Sequence, residues 1–598
     1  LSGTASDDST DGPLPAPLAA PVANSGKTVY MRLKRNDNGQ YFNFVSAAYA
    51  ASAANCFTAP DNTCAPASFA GGLNYQVAHA SLANSQAFIP DVQYAVEFLV
   101  KDKAGNGTPA TPKQFRWDVS PSTAGLLQPV VTRPVNSLTQ VNGTASDFWS
   151  MSASSFSIQS GLTGKCFEPS NNSFESACPR WVATSSNPAA DWAFSEASLG
   201  AAVLAYSNTW YTILARGVDT AGNLQTVFAG GVSSRTFLFD NIPPTAGLTF
   251  PAHDGNYKAS AVGGVAAKFQ GTVSDPGAPL NSGIRRAEVQ VSYFQTPDTF
   301  YWRSGVGWTS GAAVANGGWF QTTNADNSVW DDITLPNWAA AGVQRAYTIK
   351  VRGEDDSNKG DGTVLGNLGT PVTVGGDVRN FVVDDSIPVF ALQSPAQPEV
   401  NALAAISGTA NADLAGLAEA AVRIQRIAGG ADEDWTGSSW TALNDHYSTA
   451  TLSGVTGSVN WDYDDLAGAF QDNRQYRVYV RLTDRAGNVR AAPGGGDYDF
   501  KFDTTPPALD VRFPYAPPSV PPFSHSAESA RLVTIASGAV ADSWAGVSEV
   551  WVAVSSGSSR DVWYDHLTGR FDHAPDVNVF FTTQVWSGGA QWTYAPAT

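Results

Sequence analysis

The stretch "YRVYVRLTDRAGN", Tyr476–Asn488, alternates from its first residue. Tyr476, Val478, Val480 and Leu482 share one face and Arg477, Arg481 and Thr483 the other, the period-two pattern of a half-buried strand. Tyr347, Ile349 and Val351 against Thr348, Lys350 and Arg352 repeat the pattern. The closing pentapeptide has near copies in "DKAGN" from Asp102 and "DTAGN" from Asp219. Glycine at its fourth position supplies a positive φ, and Asp and Asn side chains bond their own backbone. The pentapeptide therefore predicts a hairpin turn between the last two strands of a repeated unit.

Outward from this strand, the same order recurs along the chain. Tyr94, Tyr211, Tyr347 and Tyr476 each stand eight residues before an Asp, namely Asp102, Asp219, Asp355 and Asp484. An aromatic strand closing on Asp and Pro follows, as "FRWDVSP" from Phe115, "FLFDNIPP" from Phe237, "FVVDDSIP" from Phe381 and "FKFDTTPP" from Phe500. The prolines end that strand and stiffen the link to the next unit. A third element, "GTASD" at Gly3 and Gly143, "GTVSD" at Gly271, "GTANAD" at Gly408 and "GAVAD" at Gly538, recurs roughly every 130–140 residues, the length of a whole domain and far above a solenoid repeat.

This ordered set resembles the bacterial immunoglobulin-like (Ig-like) domains strung through large surface proteins and adhesins. The resemblance implies an all-β chain of tandem Ig-like antiparallel β-sandwiches in an elongated array, with the tyrosine at the tyrosine corner of such sandwiches. Five units follow: residues 1–121, 122–243, 244–388, 389–506 and 507–598. The first begins at its G-T-A-S-D strand and the fifth ends before any Tyr, D-x-A-G-N or F-x-x-D element. Half a sandwich exposes open edges, so the expectation is either a longer chain or completion by a neighbouring molecule. Unit 3 replaces the short turn with "EDDSNKGDGTVLGN", and unit 1 carries the Pro/Ala-rich "DGPLPAPLAAPVANSGK".

Composition narrows the function. With 35 Lys plus Arg against 53 Asp plus Glu, a net charge of −18 repels a phosphate backbone, so nucleic acid is not an expected partner. No apolar run reaches the length of a membrane span, and the opening at Leu1 in a polar stretch reads as a processed or partial chain. The four cysteines form two close pairs, Cys56 with Cys64 and Cys166 with Cys178, without C-x-x-C spacing or clustered histidines. Two local disulfides, and an extracellular or cell-surface location, fit that spacing better than zinc.

Candidate sites have competing readings. The pentapeptides turn corners; alternatively the linker carboxylates Asp118, Asp240, Asp384, Asp385 and Asp503 meet loop oxygens of the next unit around calcium, the one candidate cofactor. The long loop adds Glu354, Asp355, Asp356 and Asp361 as candidate calcium ligands. The aromatic segments "YWRSGVGW" from Tyr301 and "DWTGSSW" from Asp434 occupy the place of the cysteine pairs. Trp302, Trp308, Trp435 and Trp440 either staple hairpins across strands or stack on a ligand such as a glycan. No nucleophile–base, metalloprotease or phosphate-loop motif occurs. The expectation is a non-catalytic stalk or filament segment of a secreted bacterial surface protein, touching copies of itself or neighbouring Ig-like domains. The alternative is an adhesin that binds glycans or a surface protein through its aromatic hairpins.

Overall fold

A computed structural model describes residues 2–4, 29–50, 64–66, 68–69, 74–101, 106–184, 191–195, 197–204, 206–311, 314–326, 328–341, 344–412, 414–442, 445–513, 536–556, 562–565, 568–573, 581–582, 585–587 and 591–595. Strands dominate, and they group into consecutive two-sheet sandwiches. In unit 4 the smaller sheet runs Val389–Ser394, Ile406–Ala412, Gly457–Tyr463, Thr451–Leu452. The larger runs Glu399–Val400, Tyr498–Phe502, Arg474–Asp484, Leu417–Ile427, Glu433–Trp435, Trp440–Ala442. Pairing is antiparallel except where the short Glu399–Val400 strand lies parallel to the last strand. Unit 3 repeats this, with Gly255–Tyr257 parallel to Val378–Asp384. The fold is that of tandem Ig-like sandwiches.

In units 2 to 5 the glycine of this motif has a packing cause. Gly143, Gly271, Gly408 and Gly538 stand directly across the ladder from Trp192, Trp330, Trp461 and Trp592, all of which are buried. A Cβ at Gly271 would lie 1.8 Å from the Gly247 carbonyl oxygen and 2.7 Å from the Trp330 ring. Only a bare Cα leaves room for the indole between the sheets, where it fills the core.

The tyrosines and the F-x-x-D strands meet in the same core. Tyr94, Tyr211, Tyr347 and Tyr476 stack on Phe115, Phe237, Phe381 and Phe500 with ring centroids 5.5, 5.7, 5.7 and 5.4 Å apart. Ile89 and Gln471 donate backbone N–H bonds to the hydroxyls of Tyr94 and Tyr476 at 2.6 and 2.8 Å, and the Tyr211 hydroxyl donates to the Tyr206 carbonyl. Each partner lies five residues upstream, which is the tyrosine-corner arrangement.

The pentapeptide turn is present, but it does not lead straight into the last strand. In unit 4 it begins a two-residue return strand, Val489–Arg490, and a further loop precedes Tyr498–Phe502. "DKAGN" in unit 1 lies, but for Asn106, outside the described residues.

Cys166 and Cys178 form a disulfide. Cys64 is also disulfide-bonded, and Cys56 lies outside the described residues. Cys166 sits on the strand beside the central strand Met151–Ser160, the place held in units 3 and 4 by the aromatic hairpins. There Trp302 faces Trp308 and Trp435 faces Trp440 across antiparallel pairs, each with ring centroids 5.4 Å apart.

Candidate metal centre

Each turn is built by its own two polar ends. Asp219 Oδ1 accepts the N–H groups of Gly222 and Asn223 at 2.7 and 2.9 Å, and Asn223 Nδ2 donates to Asp219 Oδ2 at 2.8 Å. Gly222 has φ 96°, the conformation that glycine permits. Asp484 and Asn488 repeat both contacts. In unit 3, Asp355 and Asn367 make the same pair although twelve positions separate them, so "EDDSNKGDGTVLGN" is the pentapeptide with an insertion between its Asp and its Asn.

The Asn amide also reaches across the joint. Asn223, Asn367 and Asn488 donate to the backbone carbonyls of Asp118, Asp240 and Asp384, the aspartates closing the preceding units, at 3.0, 2.8 and 2.8 Å. This contact brings three motifs to one point. One carboxylate oxygen from each of Asp118, Asp147 and Asp219 lies within 4.8 Å of the other two, and the same holds for Asp240, Asp275 and Asp355. The first residue of each triad comes from F-x-x-D, the second from the G-T motif and the third from the pentapeptide.

Among the described residues no Lys or Arg forms a salt bridge with either triad; Arg133 and Arg285 pair instead with Asp356 and Glu354. Asp240 and Asp355 are fully buried, and Asp275 Oδ1 and Asp118 Oδ2 are shut off from solvent without a hydrogen-bond donor. Burial, then the Asp240 carboxylate, pushes the Asp275 carboxyl up to about 7. Burial and then Asp147 and Asp219 raise that of Asp118. Clustered carboxylates with orphaned oxygens fit a hard, oxygen-seeking cation, which takes several such ligands and offsets their repulsion. At the joint of units 3 and 4, Asp384 and Asp484 are buried and bridged by Asn488; Asp413 of "GTANAD" lies outside the described residues.

The individually named candidates separate. Asp240 and Asp355 meet, together with Asp275. Asp356 instead pairs with Arg133 and Arg285. Asp361 is exposed and caps the Thr363 N–H, and Asp385 accepts the Ala259 N–H. Asp503 accepts from Thr505 and, across the next joint, from Ala545. Asp147 and Asp275 are not among the sequence candidates, although each ends a repeated motif, and that recurring position is the signal that points to them.

The tryptophans belong to the core. Trp302 and Trp435 are buried, and the half-buried Trp308 and Trp440 lean on Tyr347 and Tyr476. Trp308, Trp435 and Trp440 spend their N–H groups on the carbonyls of Asn337, Asp465 and Ala469. This geometry supports cross-strand stapling over ligand stacking.

Known proteins agree with this architecture in part of the chain. Residues 67–119 match the family model of a bacterial Ig-like domain. Similar solved structures include a tetra-tandem repeat in the extending region of a large adhesion protein, at 13% identity, covering 80% of this chain and 92% of that one, with TM-score 0.30. Another is of a 1.5-MDa bacterial ice-binding adhesin, at 15% identity, 64% and 97% coverage and TM-score 0.25. Fibronectin(III)-like modules of Clostridium thermocellum CbhA match at 15% identity, 44% and 94% coverage and TM-score 0.20. None of the curated protein sequences searched matches the chain. Among the described residues no helix is long and apolar enough to cross a membrane.

Proposed function

We propose that this Ig-like chain is a non-catalytic, load-bearing segment of an extracellular bacterial surface protein, a stalk or filament whose joints are stiffened by calcium. The observation that carries the reading is the repeated joint. Three successive linkers place an Asp carbonyl on the Asn of the next unit's turn, and two of those joints gather three carboxylates each. Asp118, Asp147 and Asp219 would hold one ion and Asp240, Asp275 and Asp355 another. The ion would supply positive charge binding the end of one unit to two loops of the next. Each sandwich carries its own core, so length grows with copy number, and the joints set how far the string can bend. The partners called for are neighbouring Ig-like units, in this chain or in another copy.

Small-angle scattering of the full chain tests the reading. Added calcium is expected to lengthen the maximum dimension and sharpen the pair-distance profile relative to chelator. An unchanged profile, together with no calcium uptake by calorimetry, would remove the ion from the joints.

A further inference from the structure

The inserted loop of unit 3 does more than lengthen a turn. Asn358–Lys359 lies parallel to Val135–Ser137 of unit 2, which itself lies parallel to the last strand of unit 2, so unit 3 contributes an outer strand to the larger sheet of unit 2. The ladder is closed by backbone bonds from Asn358 to the Pro134 carbonyl, from Gly360 to Ser137 and from Val130 to Gly360, at 2.7, 2.9 and 2.9 Å. Asn136 Nδ2 of unit 2 donates to Ser357 Oγ and to the Leu365 carbonyl, at 3.0 and 2.6 Å. Arg133 of unit 2 pairs with Asp356.

The loop is held equally firmly from its own side. Arg285 Nη1 donates to Glu354 Oε1 at 2.8 Å, its Nη2 to the Ser357 carbonyl at 3.0 Å, and its Nε to Asp356 Oδ1 at 3.3 Å. Ser357 and Asn358 are buried between the units. Among the described residues this is the sole strand pairing between units. At the joint of units 3 and 4, the five-residue turn supplies the Asn488 contact, and Ala415 and Leu414 donate single N–H bonds to Asp384 and Gln344.

Backbone ladders resist rotation far better than isolated side-chain contacts, because turning one unit breaks several aligned bonds at once. We propose that units 2 and 3 move as one rigid body, locked by the strand that unit 3 adds to unit 2, and that the string bends at the joint of units 3 and 4. The ladder touches the carboxylate triad through Ser357, whose Oγ accepts from Asn136 and donates to Asp355 Oδ1, but its backbone bonds are made from unit to unit without an ion.

Spin-label distance distributions on the full chain test this. Labels at Thr236→Cys and Asn380→Cys report units 2 and 3; labels at Asn380→Cys and Ser458→Cys report units 3 and 4. The first distribution is expected to be the narrower, in calcium and in chelator alike. Replacing residues 356–366 by Thr-Ala-Gly, which restores the short turn, should broaden the first distribution to the width of the second and leave the second unchanged. Asn358→Pro with Gly360→Pro, which deletes the two backbone N–H donors that unit 3 gives to the ladder, should broaden it too, and settles the matter if the shortened chain does not fold. Equal widths in the unaltered chain, or no broadening in the variants, would overturn the lock. Narrowness that vanishes in chelator would assign the rigidity to the ion instead.

Discussion

Asn367 donates its side-chain N–H to the backbone carbonyl of Asp240 at 2.8 Å, across the joint between units 2 and 3 and 127 positions along the chain. The same amide bonds the Asp355 carboxylate at 2.7 Å. One side chain thus closes its own turn and anchors the unit before it, which links local turn chemistry to the geometry of the joint.

Removing that link should be felt locally. Asn488→Ala, at the equivalent place in unit 4, removes the amide that donates to the Asp384 carbonyl and to Asp484 Oδ2, while the backbone N–H of residue 488 still reaches Asp484 Oδ1. A loss of about 1–3 kcal/mol is expected for the unfolding transition of unit 4, the range for a buried polar group left unpaired. Calorimetric scans of the full chain measure it.

Asp275 gives a pH-dependent test. Its carboxyl is raised from 3.8 to about 7, so without calcium the folded chain holds a proton that the unfolded chain has released. This contribution is complete below pH 3.8 and is lost as pH rises through about 7. In chelator, the melting temperature of unit 3 should therefore fall between about pH 4 and about pH 7, the two ends of that window. Saturating calcium should flatten the trend by replacing the proton. Asp275→Asn should flatten it in chelator and reduce the calcium-induced rise in melting temperature.

Gly271→Ala tests the glycine–tryptophan pair. The added methyl meets the Gly247 carbonyl and the Trp330 ring, so either the strands part or the indole leaves its seat. Destabilisation of at least about 1–3 kcal/mol is expected from overpacking. Gly454→Ala, where nothing lies within 4 Å of the new Cβ, should be close to neutral. Denaturant titrations followed by tryptophan fluorescence compare the two.

Trp435→Ala distinguishes a staple from a binding surface. Its ring is buried in the core of unit 4 against Trp440, so truncation should cost about 3–5 kcal/mol. Trp435→Phe should recover part of that. A fully stable Trp435→Ala chain would contradict the staple, and glycan-array binding that disappeared with it would favour the adhesin reading.

Sequence by itself determined the elements whose causes are local. Alternation along Tyr476–Leu482, the Asp–Gly–Asn turn and the proline-limited F-x-x-D strand each depend on residues a few positions apart, where backbone sterics and side-chain period decide the outcome. Their order was enough to read tandem Ig-like sandwiches. Tertiary structure alone decided where the motifs meet. Asp118, Asp147 and Asp219, or Asp240, Asp275 and Asp355, are separated by whole sheets in the chain and converge only when one unit abuts the next. The role of Asn358 was hidden for the same reason. An insertion of polar residues reads as a solvated acidic loop, and it becomes a strand only because the open edge at Val135–Ser137 is presented beside it.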